Sequence, residues 1–129
     1  MSDKSMRTDL GRVRGLGSAK EGVHHWWMQR LTAIALVPLI LWFVASLAGL
    51  AGAGHTETVE WLGSPLVAIA MILMVVATLY HAALGVQVVI EDYIHKESVK
   101  VTSLILVKGG ALLLGACSAF AVLRLTFEG

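Results

Sequence analysis

Three long runs without charge constrain the fold of this chain more than any other feature of its sequence. Residues 31–50 and 66–90 contain no Lys, Arg, Asp or Glu, and residues 101–123 contain only Lys108. A helix of roughly 20 apolar residues crosses the hydrocarbon core of a bilayer, which is about 30 Å thick. The sequence therefore predicts an all-α membrane protein with three transmembrane helices joined by short loops. The predicted helices span about residues 24–50, 65–93 and 99–125.

The composition argues against most classes of soluble protein. Of the 129 residues, 57% are hydrophobic and 15% are charged, whereas about 25% of residues are charged in an average soluble domain. A domain of this length leaves much of its surface exposed and could not bury so many apolar side chains in its own interior. The formal net charge of +1 gives no signal for nucleic-acid binding. Membrane lipid is therefore the predicted environment.

The distribution of Lys and Arg predicts the orientation of the helices. Five basic residues lie in the polar segment 1–22 and two in the hairpin at residues 91–100, whereas the linker at residues 51–64 has none. Basic loops remain on the cytoplasmic side of a membrane. We therefore expect a cytoplasmic N-terminal segment at 1–22, a membrane-anchor domain at 23–129 and a C-terminus on the opposite side. We expect no cleaved signal peptide, because no short apolar region precedes the first long run.

His81 is the main candidate for a functional residue within the predicted helices. An ionisable side chain at membrane depth is costly and usually marks a functional site. Two interpretations are open: a hydrogen bond to a neighbouring helix, or axial ligation of haem iron through a neutral imidazole. Gly85 lies about 40° around the helix and roughly 6 Å along it from His81. The missing side chain there would leave room for a flat macrocycle.

Asp92 and Tyr93 lie where the second predicted helix reaches the cytoplasmic side. Asp92 follows His81 by eleven residues, which places it on the same helix face some 16 Å nearer the cytoplasm. Tyr93 is the next residue. The pair is either an ordinary hydrated helix end with an interfacial aromatic residue or part of a site aligned with His81.

A second polar group lies where the first helix enters the membrane. His24, His25 and Arg30 accompany two tryptophans there. They form either an interfacial belt or a site where Arg30 receives an anion such as a haem propionate. Both histidines are expected roughly 16 Å above His81, so a second axial ligand is expected from another chain.

Two stretches of the sequence together resemble a known family. They are GVHHWWMQRLTAI at residues 22–34 and HAALGVQVVIEDY at residues 81–93. In a chain of three apolar runs, this pair is similar to the smaller hydrophobic membrane-anchor subunit of succinate dehydrogenase, respiratory Complex II, of the proteobacterial type. The resemblance covers all three helices in architecture, and its specific motifs lie in the first two.

The resemblance implies roles for five residues. His81 matches the histidine that supplies one axial ligand to the iron of haem b, and the larger anchor subunit supplies the other. Arg30 and His24 match positions that reach the haem propionates. Tyr93 matches the tyrosine that hydrogen-bonds a ubiquinone carbonyl, and Asp92 matches a neighbour that shapes that site.

The resemblance also implies partners and a location. The chain would pack with a second three-helix anchor, the larger cytochrome b subunit, and would hold an iron–sulfur subunit and a flavoprotein subunit at the bacterial inner membrane. Electrons from succinate would reach ubiquinone there, linking the tricarboxylic acid cycle to the respiratory chain. The chain would then be a subunit of an enzyme with no catalysis alone. The alternatives are the anchor of a fumarate reductase and a non-enzymatic small membrane protein.

Overall fold

The computed structural model describes residues 8–14 and 20–128, and these ranges contain only helices and their connections. Residues 1–7 and 15–19 of the predicted N-terminal segment 1–22 lie outside the described residues. The helices are α1 (Asp9–Arg14), α2 (Lys20–Gly49), α3 (His55–Gly63), α4 (Pro65–Tyr93) and α5 (Glu97–Glu128).

The three predicted transmembrane helices are confirmed. Gly22–Gly49 of α2, the whole of α4 and the whole of α5 are long and apolar enough to cross a membrane. They contain 28, 29 and 32 residues, so at about 1.5 Å per residue each exceeds the hydrocarbon thickness of about 30 Å. Each helix can therefore carry polar residues at its ends without burying them in lipid.

The connection between α4 and α5 is two residues shorter than the sequence predicts. Helix α4 ends at Tyr93, where the second predicted helix ends, and α5 begins at Glu97, two residues before the predicted start at about 99. Only residues 94–96 lie outside both helices. The backbone N–H of Ile94 donates to the carbonyl of Ile90 at 3.0 Å and closes the last turn of α4. This tight loop makes α4 and α5 antiparallel neighbours.

The linker expected at residues 51–64 contains an additional helix, α3. The carboxylate of Glu57 accepts a hydrogen bond from the backbone N–H of Gly54 at 3.2 Å, at the helix end where a negative charge is favourable. Trp61 stacks on Trp42 of α2 with ring centroids 6.0 Å apart. At Gly63, a Cβ would lie 3.7 Å from the carbonyl oxygen of Leu125, so α3 passes close to α5.

The middle helix of the bundle is α4, which contacts both α2 and α5. A Cβ added at Gly115 would lie 3.4 Å from Leu79 Cδ1, which shows how closely α4 and α5 approach. Across the described residues, only five apolar side chains are buried: Leu36, Ala68, Leu84, Ile90 and Val122. Most of the apolar surface is exposed, as expected for helices whose neighbours are lipid and other membrane helices.

Candidate functional site

The interface between α2 and α4 is polar on one side. His25, Gln29 and Thr32 are spaced four and three residues apart, a spacing that puts side chains on one helix face. All three contact α4, at His81 or at the carbonyl of Leu84. The candidate site is therefore built between two spanning helices, with His81 at its centre.

The two ring nitrogens of His81 differ in how firmly they are held. Nδ1 lies 2.9 Å from the hydroxyl oxygen of Thr32. Nε2 lies 3.5 Å from the amide nitrogen of Gln29, at the outer limit for a hydrogen bond. The hydrogen bond to a neighbouring helix that the sequence left open is thus present. It uses Nδ1 and leaves Nε2 weakly engaged, so it does not compete with ligation through Nε2.

Gly85 lies beside the same cluster. A Cβ there would be 3.8 Å from the amide nitrogen of Gln29, an ordinary contact distance, so the amide lies over the surface that the glycine leaves open. The amide oxygen of Gln29 is buried, with no hydrogen-bond partner among the described residues. Gln29 is therefore the least satisfied polar side chain of this face.

The side chains of this face could supply one axial ligand to haem iron, but they do not form a complete set of ligands for a metal ion. In the described part of the chain, no three His, Cys, Asp or Glu side chains come together to hold a metal ion. An imidazole with Nδ1 hydrogen-bonded and Nε2 weakly engaged suits the role of one axial ligand of haem iron. The other imidazole of this face, His25, has its Nε2 bound to the carbonyl oxygen of Leu84, so a second axial ligand from another chain stays the prediction.

The depth expected for His25 is wrong. Its Nε2 donates to the carbonyl oxygen of Leu84 at 3.2 Å, so the ring reaches α4 three residues, or about 4.5 Å of helix rise, from His81. The expected separation of about 16 Å assumed that the first helix enters the bundle level with the end of the second. Instead, α2 packs against α4 with the His25 ring beside Leu84, about one helical turn from His81.

Arg30 and His24 lie away from the His81 face. The Arg30 guanidinium carbon is 4.1 Å from the centroid of the Trp26 ring, a cation–π contact. Both Arg30 and His24 are exposed on the surface of α2. Arg30 follows Gln29 directly, which turns it about 100° from the side chain that meets His81. The contacts with haem propionates stay a prediction for both residues.

Asp92 and Tyr93 occupy the last turn of α4 and are exposed. Tyr93 is 77% exposed, so its hydroxyl is open to a ligand or partner at this end of the bundle. The neighbouring Glu91 accepts a hydrogen bond from the side chain of Gln87 at 2.8 Å. Asp92 and Tyr93 thus remain accessible, and the quinone contacts predicted for them stay predictions.

A groove between α4 and α5 is separate from this face. It has a volume of about 610 Å³ and is lined mostly by apolar side chains, together with Tyr80, Gln87 and Lys108. Tyr80 precedes His81 and points about 100° away from it. The groove therefore belongs to the other side of α4.

Sequence reasoning missed Gln29 and Thr32 as site residues. Both lie within the stretch 22–34 that carries the resemblance, but neither received a role. Their spacing from His25 is the signal that could have found them, because it forms a polar stripe on an otherwise apolar helix.

The fold and the polar face define a membrane subunit with three spanning helices and a histidine held between two of them. The chain belongs to the family of succinate dehydrogenase/fumarate reductase transmembrane subunits, whose family model matches residues 4–123. The resemblance identified from the two sequence stretches is thereby confirmed.

Individual relatives carry a narrower name, "succinate dehydrogenase hydrophobic membrane anchor subunit". The relative from Rickettsia bellii is 39% identical over 102 residues, covering 79% of this chain and 82% of its own length. That from Rickettsia conorii is 35% identical over 103 residues, with the same coverage of 79% and 82%. That from Paracoccus denitrificans is 32% identical over 81 residues, covering 63% of each chain.

Proposed function

We propose that this chain is the membrane-anchor subunit of a succinate dehydrogenase and supplies His81 as one axial ligand of haem b. The observation that carries the proposal is the position of His81, whose Nδ1 is bound to Thr32 while Nε2 has only a 3.5 Å contact. Family membership supports a role in this class of complex. The names of the relatives favour succinate dehydrogenase over fumarate reductase.

Three residues would hold the haem, which stores and passes on single electrons when bound. His81 would ligate the iron through Nε2, and the larger cytochrome b anchor subunit would supply the opposite ligand. Arg30 and His24 would bind the propionates. A guanidinium forms strong charge-assisted hydrogen bonds with carboxylates, and the exposed Arg30 is free to exchange its contact with Trp26 for such a pair.

Tyr93 and Asp92 would form part of the site where ubiquinone is reduced. Reduction of a quinone to a quinol requires two electrons and two protons. The Tyr93 hydroxyl would donate a hydrogen bond to a quinone carbonyl and so favour the negative charge that develops on that oxygen. The Asp92 carboxylate would accept a hydrogen bond and orient polar groups nearby. Electrons from succinate would arrive through the flavoprotein and iron–sulfur subunits on this side of the membrane.

Purification of the complex through this chain tests the proposed function. With an affinity tag on the C-terminus and a mild detergent, we expect a flavoprotein and an iron–sulfur protein to co-purify, together with a b-type reduced-minus-oxidised spectrum. The complex should reduce ubiquinone with succinate. A tagged chain that purifies without dehydrogenase subunits and without haem would contradict the proposal and favour a non-enzymatic membrane protein. Faster fumarate reduction than succinate oxidation with the physiological quinone would instead favour a fumarate reductase anchor.

We also propose that the chain lies in the bacterial inner membrane with the α4–α5 loop in the cytoplasm and α3 on the opposite side. Support comes from the basic residues of segment 1–22 and of the loop region, against the acidic α3 with Glu57 and Glu60. This orientation places Asp92 and Tyr93 where soluble dehydrogenase subunits would bind.

Cysteine labelling tests this orientation. Cys117 is the single cysteine of the chain, so Cys117→Ser gives a background for Thr56→Cys on α3 and Lys96→Cys in the loop. We expect a membrane-impermeant maleimide to label Thr56→Cys in spheroplasts, whereas Lys96→Cys reacts only after the membrane is opened. Native Cys117, within the apolar part of α5, is the control and should stay unlabelled until detergent is added. Labelling of Lys96→Cys in intact spheroplasts would contradict the orientation.

A further inference from the structure

We infer that Thr32 is a positioning residue that holds His81 in the tautomer with its proton on Nδ1, so that the lone pair of Nε2 is directed to the iron. The inference rests on the proposed haem role of His81. It concerns a residue on a different helix, which controls the ligand without touching the cofactor.

The hydrogen count at Thr32 assigns the proton. The hydroxyl oxygen lies 2.7 Å from the carbonyl oxygen of Met28 and 2.9 Å from Nδ1 of His81. Two oxygens at 2.7 Å repel each other unless a hydrogen lies between them, and a hydroxyl has only one hydrogen to donate. The Thr32 hydroxyl therefore donates to Met28 and accepts from His81, whose Nδ1 must carry a proton.

The contact with Gln29 is compatible with the same tautomer. Its amide nitrogen, which can only donate, lies 3.5 Å from Nε2 of His81. A protonated Nε2 would place two donors against each other, whereas an unprotonated Nε2 can accept. The assignment of the lone pair to Nε2 therefore rests on the two contacts of the Thr32 hydroxyl. The weak contact with Gln29 is one that a stronger bond to Nε2 can replace.

Thr32 is suited to this task because its own position is fixed. Its β-branched side chain is restricted in rotation, and its hydroxyl is anchored to its own helix by the bond to Met28. A hydrogen bond accepted from the distal N–H of a ligating histidine fixes the ring orientation and raises the basicity of the ligand. A more basic imidazole stabilises ferric over ferrous iron, so removal of the hydroxyl should raise the reduction potential of the haem.

The test compares three variants in the purified complex. Thr32→Val removes the hydroxyl and keeps the branched shape, and Thr32→Ser keeps the hydroxyl. Thr102→Val is the matched control, since the Thr102 hydroxyl makes the same type of bond, to Ser98 at 2.8 Å, on exposed α5. The measurements are the haem midpoint potential and the electron paramagnetic resonance spectrum of the ferric haem.

For Thr32→Val we expect about a tenfold shift toward ferrous haem, equivalent to about 59 mV for one electron, with altered resonance positions. Thr32→Ser and Thr102→Val should match the wild type. A Thr32→Val complex with unchanged potential and spectrum would overturn the inference, as would an equal shift in Thr102→Val.

A direct measurement of the hydrogen bond at Nδ1 remains decisive even when Thr32→Val does not assemble. In the reduced complex with ¹⁵N-labelled histidine, the His81 signals are those lost in His81→Ala. An Nδ1–H whose proton signal is shifted downfield by an oxygen acceptor supports the inference, and an Nδ1–H without that shift, or an unprotonated Nδ1, overturns it. This readout also separates the inference from the proposed function. A haem spectrum that survives His81→Ala contradicts the haem role, whereas the hydrogen-bond shift of the Nδ1–H reports on the Thr32 contact alone.

Discussion

Replacement of His81 by alanine is expected to abolish the low-spin b-type spectrum of the assembled complex. Alanine offers no lone pair to iron, and His25, the other imidazole of this face, has its Nε2 bound to the carbonyl oxygen of Leu84. We expect either loss of the haem or its conversion to a high-spin form with one axial position open. The measurement is the reduced-minus-oxidised optical spectrum at matched protein concentration.

The bundle should tolerate this change, which makes the result interpretable. His81 is only partly buried. Its removal takes away the N–H from which the Thr32 hydroxyl accepts a hydrogen bond, but that hydroxyl still donates to the carbonyl of Met28. The loss of one hydrogen bond costs about 1 kcal/mol. Succinate oxidation with an artificial dye checks that the dehydrogenase subunits are bound. The matched control is His55→Ala, which removes an exposed histidine on α3 and should keep the wild-type spectrum. An unchanged spectrum in an assembled His81→Ala complex would contradict ligation by His81.

The spanning helices follow from the sequence because one physical length determines them. The hydrocarbon core requires about 20 apolar residues, and the uncharged runs meet that requirement without reference to any tertiary contact. Helix α3 does not follow from the sequence in this way. Nine residues are too few for a stable isolated helix, and this one depends on the stacking of Trp61 on Trp42. Such a contact becomes visible only when the chain is folded.

The residues of the site likewise fall into one that the sequence identifies and others that depend on how the helices pack. His81 is identifiable from its depth in an apolar run, since the cost of placing an imidazole there depends on the bilayer alone. Thr32 and Gln29 contact His81 only because of the offset between α2 and α4, that is, the position of one helix along the axis of the other. Spacing within one helix does not determine that offset. The same unknown offset explains the wrong depth expected for His25, which meets α4 at Leu84.

The second large effect is expected at the proposed cytoplasmic end of α4, where Tyr93→Phe should lower ubiquinone reduction by up to about tenfold through the lost hydrogen bond. Loss of one hydrogen bond to the substrate is worth up to about 1.5 kcal/mol, and about 1.4 kcal/mol corresponds to tenfold. A contribution of the hydroxyl to proton transfer would add to this. The side chain is 77% exposed, so removal of its hydroxyl leaves no buried group unsatisfied and should not disturb the bundle.

The chain provides a matched control, because it contains two tyrosines and the other, Tyr80, lines the groove between α4 and α5. Tyr80→Phe should retain wild-type quinone reduction, and both variants should retain succinate oxidation with an artificial dye, which accepts electrons before the quinone. Turnover and the Michaelis constant for ubiquinone are measured separately, since a hydrogen bond already present in the bound substrate affects the Michaelis constant and one formed only in the transition state affects turnover. Wild-type values of both in Tyr93→Phe would exclude Tyr93 from the quinone site, and a defect shared with dye reduction would assign it to assembly instead.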